Sequence, residues 1–206
     1  MLKILGRASS INVQKVMWLI AELGLEVERV DIGGPFGGND QPDYLAKNPM
    51  GRVPTLEDGD LVIFESNSIV RHIAEAHGGD PWYPADPHQR AVASQWMDWA
   101  LAHLHPHMTV IYQGLIRPPP EKRDNDAIEN ARRQAADMLG ILDRRLAERP
   151  YLTGDDPTMG DIALGPYAYR WFNLELERPA ADNLRAWYDR LAARPAFGDH
   201  VMLPLS

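Results

Sequence analysis

A proline-rich run in the middle of the chain sets the strongest limit on its fold. The run Pro81-Trp82-Tyr83-Pro84-Ala85-Asp86-Pro87 holds three prolines in seven residues. Proline has no amide hydrogen and its ring clashes with the preceding turn, so this run cannot lie inside a helix. Trp82 and Tyr83 supply two aromatic anchors that would keep such a segment ordered. We therefore expect an ordered linker at residues 81–87, between one domain at residues 1–80 and another at residues 88–206.

The part of the chain before the linker alternates between strand and helix patterns. Leu2–Leu5 and Leu25–Ile32 are apolar enough for strands, and apolar residues recur at helical spacing from Val13 to Leu23 between them. Farther along, Asp58-Gly59-Asp60 separates two strand-like segments, as in a hairpin, and Ser66 precedes an amphipathic helix. The predicted order of elements is βαβ followed by ββα.

The part after the linker has a helical pattern throughout. Apolar residues lie at helical spacing from Ala91 to Ala100, from Ile128 to Leu146 and from Leu184 to Leu191. Thr158 and Asp161 have the spacing of a capping box, in which each side chain accepts a hydrogen bond from the backbone amide of the other residue. These patterns predict an all-α second domain.

Composition and charge exclude several classes of function. The 206-residue chain has no cysteine, which excludes disulfides, thiolate metal ligands and a cysteine nucleophile. Its net charge of −8 argues against nucleic-acid binding. The chain has no long apolar run, and its start, Met1–Gly6, lacks the basic and apolar regions of a signal peptide. We expect no membrane span and a cytoplasmic location.

Two short motifs suit the binding of a small peptide. Val53-Pro54 comes directly before a strand-like segment, and Glu65-Ser66 opens a helix-like segment. A free strand edge can pair with an extended peptide backbone, and a helix N-terminus attracts a carboxylate. Taken alone, the Val-Pro pair could merely end a loop, and Ser66 would cap its helix in any case. Together the two motifs favour a peptide clamp.

The order of these motifs resembles the soluble glutathione transferases. The shared features are the string Asn48-Pro49-x-Gly51-x-Val53-Pro54, the acidic–Ser pair Glu65-Ser66, the proline-rich linker, and the capping box at Thr158. Within that family, the run Gly6–Val16 looks most like bacterial members that lack a catalytic cysteine. The resemblance implies an α/β thioredoxin-like N-terminal domain (βαβ–ββα), an all-α C-terminal domain and a cis bond between Val53 and Pro54.

The same resemblance implies glutathione as the co-substrate. Val53 would pair through its backbone N–H and C=O with the cysteinyl part of glutathione. Ser66 and the helix start would hold the γ-glutamyl carboxylate, and Glu65 would accept the neighbouring ammonium group. Further candidate contacts with glutathione are Ser9, Asn39, Arg52 and Pro54. Asn39 and Arg52 also have a plainer interpretation, as a turn residue and a solvated cation.

Ser10 and Asn12 are the candidates for stabilising the glutathione thiolate. Ser10 aligns with the catalytic Ser, Cys or Thr of the family, and Asn12 with the Asn of a related bacterial branch. A free thiol has a pKa of roughly 8.5, so little of it is ionised at neutral pH. Lowering that pKa by two units requires about 2.7 kcal/mol, which one or two hydrogen bonds and a helix N-terminus can supply. Alternatively, either residue only caps the helix that begins near Val13.

The family resemblance also places a second-substrate pocket beside the helix at residues 99–108. The candidates for its lining are His103, His107, Met108, Tyr112, Tyr167, Arg170 and Trp171. Such a set would favour polar or anionic electrophiles. His103 and His107 also share a helix face, as metal ligands do. Because Pro106 interrupts that helix and no carboxylate completes the set, we expect no metal there.

Three activities are open from the sequence. The leading one is transfer, in which the thiolate attacks a small and sometimes halogenated electrophile. A glutathione-dependent disulfide reductase or peroxidase would need two bound glutathiones, because the chain has no cysteine of its own. The third is a non-enzymatic ligand-binding protein of the same fold. The family further implies a homodimer, with Trp96 and Trp99 on a helix that often borders its two-fold axis.

Overall fold

A four-stranded mixed sheet forms the centre of the first domain in the computed structural model, which describes residues 1–205. The strands are β1 (Leu2–Leu5), β2 (Val27–Val30), β3 (Thr55–Asp58) and β4 (Leu61–Phe64), in the order β2-β1-β3-β4. β1 is parallel to β2, and β3 is antiparallel to both β1 and β4. The helices are α1 (Ile11–Glu22), α2 (Pro42–Leu45) and α3 (Ser66–Ile73). The predicted βαβ–ββα order is confirmed, with α2 as one extra turn.

β2 is shorter than its sequence pattern suggested. The amide of Leu25 donates to the carbonyl of Ile20 at 3.1 Å, so this residue still belongs to the end of α1. Gly24 makes that ending possible with a φ of 62°, in the left-handed region that glycine tolerates. At the other end, the chain leaves the sheet for a short 3₁₀ turn at Gly34–Phe36. The local hydrogen bonds at both ends therefore override the apolar pattern.

The second domain is all helical, as predicted. Its helices are α4 (Pro87–Trp99), α5 (His105–Ile116), α6 (Asn125–Leu146), α7 (Met159–Asn173), α8 (Asp182–Ala192) and α9 (Pro195–His200). A π-helical turn at Ala100–Leu104 joins α4 to α5. Pro87 starts α4 rather than ending the linker, because Asp86 caps the helix and proline suits its first position. Ser206, the last residue of the predicted domain, lies outside the described residues. Within residues 1–205, none of the helices combines the length and apolarity that crossing a membrane would require.

The capping box at the start of α7 is present as predicted. The Asp161 carboxylate accepts hydrogen bonds from the backbone amide of Thr158 at 2.9 Å and from that of Leu152 at 3.2 Å. It also accepts one from the indole Nε1 of Trp187 at 2.9 Å. The Asp161 side chain is fully buried, so these donors replace the water that it loses on folding. The box thus ties α7 to the preceding loop and to α8.

α1 lies between the two domains and fixes how they meet. It packs against α3 on the side of the sheet, and against α7 and α9 on the side of the helical domain. The rings of Trp18 and Phe197 meet edge to face with centroids 4.8 Å apart. Gly165 of α7 allows this close approach, because a Cβ there would lie 2.7 Å from the Trp18 ring. Glu22 forms an ion pair with Arg194 at 2.6 Å across the same boundary. These contacts hold α1 against α7 and α9.

Candidate active site

A cleft of about 1200 Å³ lies between the first domain and the two helices α5 and α7. Its walls come from the loop before α1, the segments 33–39 and 48–54, the start of α3, and α5, with Arg170 reaching in from α7. Every residue that the sequence suggested for glutathione and its thiolate lies in these walls: Ser9, Ser10, Asn12, Asn39, Arg52, Val53, Pro54, Glu65 and Ser66. The fold therefore gathers distant segments around one cavity.

The backbone of Val53 offers a free strand edge in this cleft. The Val53-Pro54 peptide bond is cis, as the resemblance implied. The preceding segment is held from behind, because the Tyr44 hydroxyl donates to the Arg52 carbonyl at 2.5 Å and Asn48 Nδ2 donates to the same oxygen at 2.8 Å. The N–H and C=O of Val53 form no hydrogen bond with any of residues 1–205. They are available to an extended peptide.

The start of α3 is open to an anion. Glu65, at the N-cap position, is exposed and has a φ of 71° and a ψ of 109°, which a residue other than glycine seldom adopts. Ser66 is the first helical residue rather than the cap predicted from the sequence, and its side chain is buried in the cleft wall. No side-chain hydrogen bond caps this helix. The first amides of α3 thus remain available to a ligand carboxylate.

Asn39 and Arg52 line the same cleft but are held differently. Asn39 Nδ2 donates to the carbonyl of Gly51 at 2.8 Å, which joins two loops and leaves the side-chain oxygen of Asn39 open. The Arg52 side chain is exposed and pairs with no acidic residue among residues 1–205. Asn39 therefore does more than form a turn, and Arg52 is a cation without an ion-pair partner in the described part of the chain.

Ser10 and Asn12 stand at the N-terminus of α1. Ser10 occupies the N-cap position with a φ of −75° and a ψ of 123°, yet its side chain makes no capping hydrogen bond. Asn12 lies within the first turn, and its Oδ1 accepts a hydrogen bond from Lys15 Nζ at 3.1 Å. Neither side chain is used as a helix cap, which removes the simplest structural explanation for both residues. The positive end of the helix dipole adds to any anion stabilisation here.

Lys15 was not singled out in the sequence, yet it lies directly behind Asn12. Its side chain is fully buried, and besides Asn12 it reaches the Tyr167 hydroxyl, with Nζ at 3.4 Å from that oxygen and 4.9 Å from the ring centroid. Burial, reinforced by the charge of Arg170 and opposed by that of Glu65, lowers the pKa of Lys15 to about 7. The sequence signal that could have drawn attention to Lys15 is the presence of a charged residue inside the apolar run of α1.

The hydrogen bonds continue from Lys15 toward α5. The Tyr167 hydroxyl lies 2.9 Å from Nδ1 of His105, which lines the cleft. When Lys15 is protonated its nitrogen can only donate, so the Tyr167 oxygen accepts from it and directs its own proton to His105. Burial, followed by the charges of Lys15 and Arg170, lowers the pKa of His105. A neutral His105 accepting at Nδ1 is consistent with this arrangement.

Arg170 brings a buried positive charge to the cleft. Its guanidinium lies 3.7 Å from the centroid of the Tyr112 ring and donates to the carbonyl of Ser9 at 3.2 Å. Burial lowers the pKa of Arg170 to about 10, which leaves it charged at neutral pH. Its Nε is buried without a hydrogen-bond partner among the described residues. Arg7, Arg52 and Arg117 also line the cleft, which therefore suits an anionic ligand despite the acidity of the whole chain.

Of the seven residues predicted to line a second-substrate pocket, two lie in the wall of this cleft. Tyr112 and Arg170 do line the cleft. The other five candidates are not part of its wall: His103, His107, Met108, Tyr167 and Trp171. Met108, Tyr167 and Trp171 are instead core residues, with at most 2% of their surface exposed. His103 is exposed and lies beside Trp99, with ring centroids 6.1 Å apart.

The π-helical turn at Ala100–Leu104 accounts for which residues of α5 face the cleft. A π turn inserts one extra residue into the helix and rotates everything that follows relative to an α-helical pattern. His105, Thr109, Tyr112 and Gln113 consequently face the cleft, at the spacings of a single helix face. The sequence shows the histidine cluster but does not reveal which histidine faces inward.

Comparison with known proteins identifies the family. The family model described as the glutathione S-transferase N-terminal domain matches residues 1–75, and the one for the C-terminal domain matches residues 125–190. The chain belongs to the glutathione S-transferase family. The first matched region lies in the domain with the four-stranded mixed sheet, which is the thioredoxin-like part of the fold. The second lies in the helical domain.

Individual members of the family match over nearly the whole chain. The chain is 40% identical to glutathione S-transferase GstB of Escherichia coli K12, over the full length of both proteins. It is 35% identical to glutathione S-transferase 3 of Zea mays, covering 95% of this chain and 91% of that one. A theta class glutathione S-transferase of Xanthomonas axonopodis pv. citri, solved with glutathione bound, is 42% identical with a TM-score of 0.96. That match covers 100% of this chain and 99% of the other.

Proposed function

We propose that this protein is a glutathione transferase that binds glutathione in the cleft and activates its thiol for attack on a small electrophile. The observation that carries the proposal is a juxtaposition. The unpaired backbone groups of Val53 share one cavity with the uncapped start of α3 and with the N-terminus of α1. A relative that is 42% identical was solved with glutathione bound, which supports the same ligand here.

The proposed binding mode uses each end of the tripeptide. The cysteinyl backbone pairs with Val53 next to Pro54, and the γ-glutamyl carboxylate meets Ser66 and the first amides of α3. Glu65 accepts the ammonium group. Further contacts are proposed for Ser9, Asn39 and Arg52, with Arg52 as the counter-ion of the glycyl carboxylate.

The proposed chemistry requires only that the thiolate be stabilised. Ser10 and Asn12 donate hydrogen bonds to the sulfur, and the dipole of α1 adds to their effect. Lowering the thiol pKa from about 8.5 to about 6.5 requires roughly 2.7 kcal/mol, which is within reach of such groups. The thiolate then attacks the electrophilic carbon, the sulfur–carbon bond forms, and a leaving group such as halide departs where the electrophile carries one.

The second-substrate end of the cleft is proposed to accept polar or anionic electrophiles. Its candidate lining residues, Tyr112, Arg170, His105, Thr109, Gln113 and Arg117, are polar or aromatic rather than aliphatic. We also propose a homodimer, with Trp96 and Trp99 of α4 near the two-fold axis. The cytoplasm is the proposed location, since the thiol form of glutathione is maintained there.

The experiment that tests this proposal combines binding with product formation. The purified protein is titrated with glutathione, and then assayed with chlorinated and with epoxide electrophiles for the thioether product. Binding together with thioether formation is expected. Binding accompanied by reduction of a small disulfide or peroxide, with no thioether, would favour the reductase or peroxidase instead. Binding without either reaction would favour a ligand-binding protein, and absence of glutathione binding would contradict the proposal.

A further inference from the structure

Asp58, His72 and His77 bring three potential metal ligands together outside the cleft. Asp58 Oδ2 lies 2.9 Å from His72 Nε2 and 3.2 Å from His77 Nε2. One donor atom from each of the three residues lies within 4.8 Å of the other two. The side chains are 24%, 28% and 32% exposed, so the cluster is partly shielded yet open on one side. Asp58, His72 and His77 are not part of the cleft wall.

A local irregularity of the helix makes this cluster possible. His72 belongs to α3, and His77 lies five residues later in a π-helical turn at Ala74–Gly78. In a regular α-helix, side chains five residues apart would point roughly 140° away from each other. The π turn includes one more residue in each turn, which brings both imidazoles to the same side. The amide of Gly79 confirms that geometry by donating to the carbonyl of Ala74 at 2.8 Å.

We propose that Asp58, His72 and His77 form a binding site for a divalent transition metal such as Zn²⁺. Imidazole nitrogens and a carboxylate oxygen are ligands that Zn²⁺ prefers, at about 2.0–2.2 Å each. Ligand atoms around a tetrahedral zinc ion then lie about 3.3 Å apart, which is close to the separations from Asp58 to both histidines. Three protein ligands leave the fourth position to water. The ion would fasten the end of β3 to the end of α3.

The competing explanation is an ion cluster without metal. Hydrogen bonds from His72 and His77 lower the pKa of Asp58, so a carboxylate flanked by two histidines is already stable. The two explanations differ in their response to added metal. Only the metal site predicts a single saturable site that depends on both histidines and discriminates by metal type. Mg²⁺ is the discriminating probe, since it prefers oxygen ligands and is expected to bind there poorly.

The test uses the whole chain without a histidine tag, freed of metal by a chelator and titrated calorimetrically with zinc chloride. One equivalent is expected to bind, and His72→Gln and His77→Gln are each expected to weaken binding by at least about tenfold, since even outer-shell changes cost 10–100-fold. His88→Gln, an exposed histidine on α4, is the matched control and should bind as the wild type does. Zinc should also raise the melting temperature of the wild type but not of His77→Gln. No zinc binding by the wild type, or equal binding by His72→Gln and His77→Gln, would overturn the proposal.

A second inference concerns Lys15 and rests on the proposed function. Lys15 Nζ donates to Asn12 Oδ1 at 3.1 Å, in the wall of the cleft. A protonated lysine nitrogen has no acceptor capacity, so with Lys15 charged the Asn12 amide must present its oxygen to Lys15 and its NH₂ group away from it. That NH₂ group has no hydrogen-bond partner among residues 1–205. Asn12 is thereby oriented as a donor.

We infer that Lys15 is a positioning residue that fixes Asn12 as a hydrogen-bond donor to the glutathione sulfur and places a positive charge behind it. The groups that face Lys15 are Arg170 and Tyr167 from α7, His105 from α5, and Glu65 at the start of α3. Arg170 opposes the Lys15 charge and Glu65 favours it. A thiolate in the cleft would add a second negative charge and hold the proton on Lys15.

The test measures the thiol pKa of bound glutathione by ultraviolet absorbance in the wild type, Lys15→Met and Lys15→Gln. Lys47→Met, at an exposed site, is the matched control. Lys15→Met is expected to raise the thiol pKa by about one unit, which from a wild-type value near about 6.5 lowers the thiolate fraction at pH 7 about threefold. Lys15→Gln should raise it less, because a glutamine NH₂ group still donates to the Asn12 oxygen.

Binding of S-methylglutathione separates this inference from the proposed function. This analogue has no thiol proton, so its affinity depends only on the groups that bind the peptide part of glutathione and not on thiolate stabilisation. The wild type and both Lys15 variants are expected to bind it within about twofold of each other, the change typical of a site away from the contact. Normal binding with an unchanged thiol pKa in Lys15→Met would overturn the inference and leave the function standing. No binding to the wild type would overturn both.

Discussion

Asp161 and Lys15 are both fully buried among residues 1–205, and the two side chains differ in how many hydrogen-bond partners surround them. Asp161 accepts hydrogen bonds from the amides of Thr158 and Leu152 and from the indole of Trp187, together with the Thr158 hydroxyl at 3.3 Å. Lys15 donates to two acceptors, at 3.1 and 3.4 Å, and lies next to a second cation. Asp161 therefore has more hydrogen-bond partners than Lys15, although burial still outweighs its hydrogen bonds and raises the pKa of its carboxyl.

The difference follows from where the two charges lie. Asp161 is placed where three chain segments must be joined, and each of its donors belongs to a segment that it holds. Lys15 lies behind the wall of the cleft, where an anionic ligand would supply the missing compensation. A buried charge with a full set of partners therefore indicates a structural role, whereas one that lacks them beside a cavity indicates a ligand. The variants below test this contrast, beginning with the largest expected effect.

Asp161→Ala should cause the largest loss of stability. It leaves the amides of Thr158 and Leu152 and the indole of Trp187 buried without an acceptor. At about 1–3 kcal/mol for each unsatisfied buried donor, we expect a loss of about 4 kcal/mol. Urea denaturation measures it. Asp156→Ala, at an exposed position in the same loop, should change stability by less than about 0.5 kcal/mol. Equal midpoints for the two variants would show that Asp161 is not the structural centre of this region.

Lys15→Met should have the opposite effect and stabilise the folded protein near pH 7. The pKa of Lys15 is about 7 in the folded protein and 10.5 in the unfolded chain. Between these values the unfolded state binds more protons, so the Lys15 contribution makes stability rise with pH across that window. At about 1.4 kcal/mol per unit, the expected gain on substitution is a few kcal/mol at pH 7, less about 1 kcal/mol for lost hydrogen bonds.

The control for this prediction is the same substitution at an exposed lysine. Denaturation of wild type, Lys15→Met and Lys47→Met is compared at pH 7 and pH 9.5. The advantage of Lys15→Met should shrink at the higher pH, while Lys47→Met follows the wild type at both. A variant that is less stable than the wild type at pH 7 would mean that Lys15 is adequately compensated, and the contrast with Asp161 would fail.

Asn12→Ala should reduce catalysis and also lower stability by about 1–3 kcal/mol, because it removes one of the two acceptors of the buried Lys15. It removes the donor that Lys15 orients, and a hydrogen bond to a charged group is worth about 1.5–3 kcal/mol. We therefore expect kcat/KM to fall by about 10- to 100-fold at pH 6.5, with a smaller loss at pH 9, where glutathione ionises unaided. Conjugation kinetics across this pH range measure the effect. An unchanged pH profile would rule out Asn12 as the thiolate stabiliser.

Ser10→Ala should show the smallest effect on folding, because the Ser10 hydroxyl makes no capping bond. Loss of a helix cap usually costs about 1 kcal/mol. Without such a bond, the change in unfolding free energy should stay below about 0.5 kcal/mol. Its kcat/KM should fall by about tenfold or less. A loss of stability typical of a cap, with unchanged kinetics, would make Ser10 a structural residue.

The first half of the cleft could be predicted from sequence because its key groups are neighbours in the chain. The roles proposed for Val53-Pro54 and Glu65-Ser66 depend largely on backbone groups. Their positions at a strand edge and a helix start follow from local patterns. The roles of Ser10 and Asn12 came from family resemblance rather than from spacing. The same local logic identified the box at Thr158 and Asp161.

The side of the cleft formed by α5 and α7 could not be predicted from the sequence, for physical reasons. The π turn at Ala100–Leu104 changes which side chains face the cleft, and the apolar spacing does not encode it. The buried surroundings of Lys15 depend on α7, where Tyr167 lies 152 residues away in the chain. A second π turn likewise aligns His72 with His77, which an α-helical reading separates. Long-range contacts and helix irregularities therefore limit how much of the site can be predicted from the sequence.

The most direct test of the whole account is the thiol pKa of glutathione bound to the wild-type protein. The ultraviolet absorbance of the thiolate is followed between pH 5 and pH 9 at saturating protein, with S-methylglutathione as the blank. Stabilisation by Ser10, Asn12 and the helix N-terminus predicts a midpoint near about 6.5, roughly two units below a free thiol. If glutathione binds in the cleft but its thiol titrates near about 8.5, as an unperturbed thiol does, the account is contradicted.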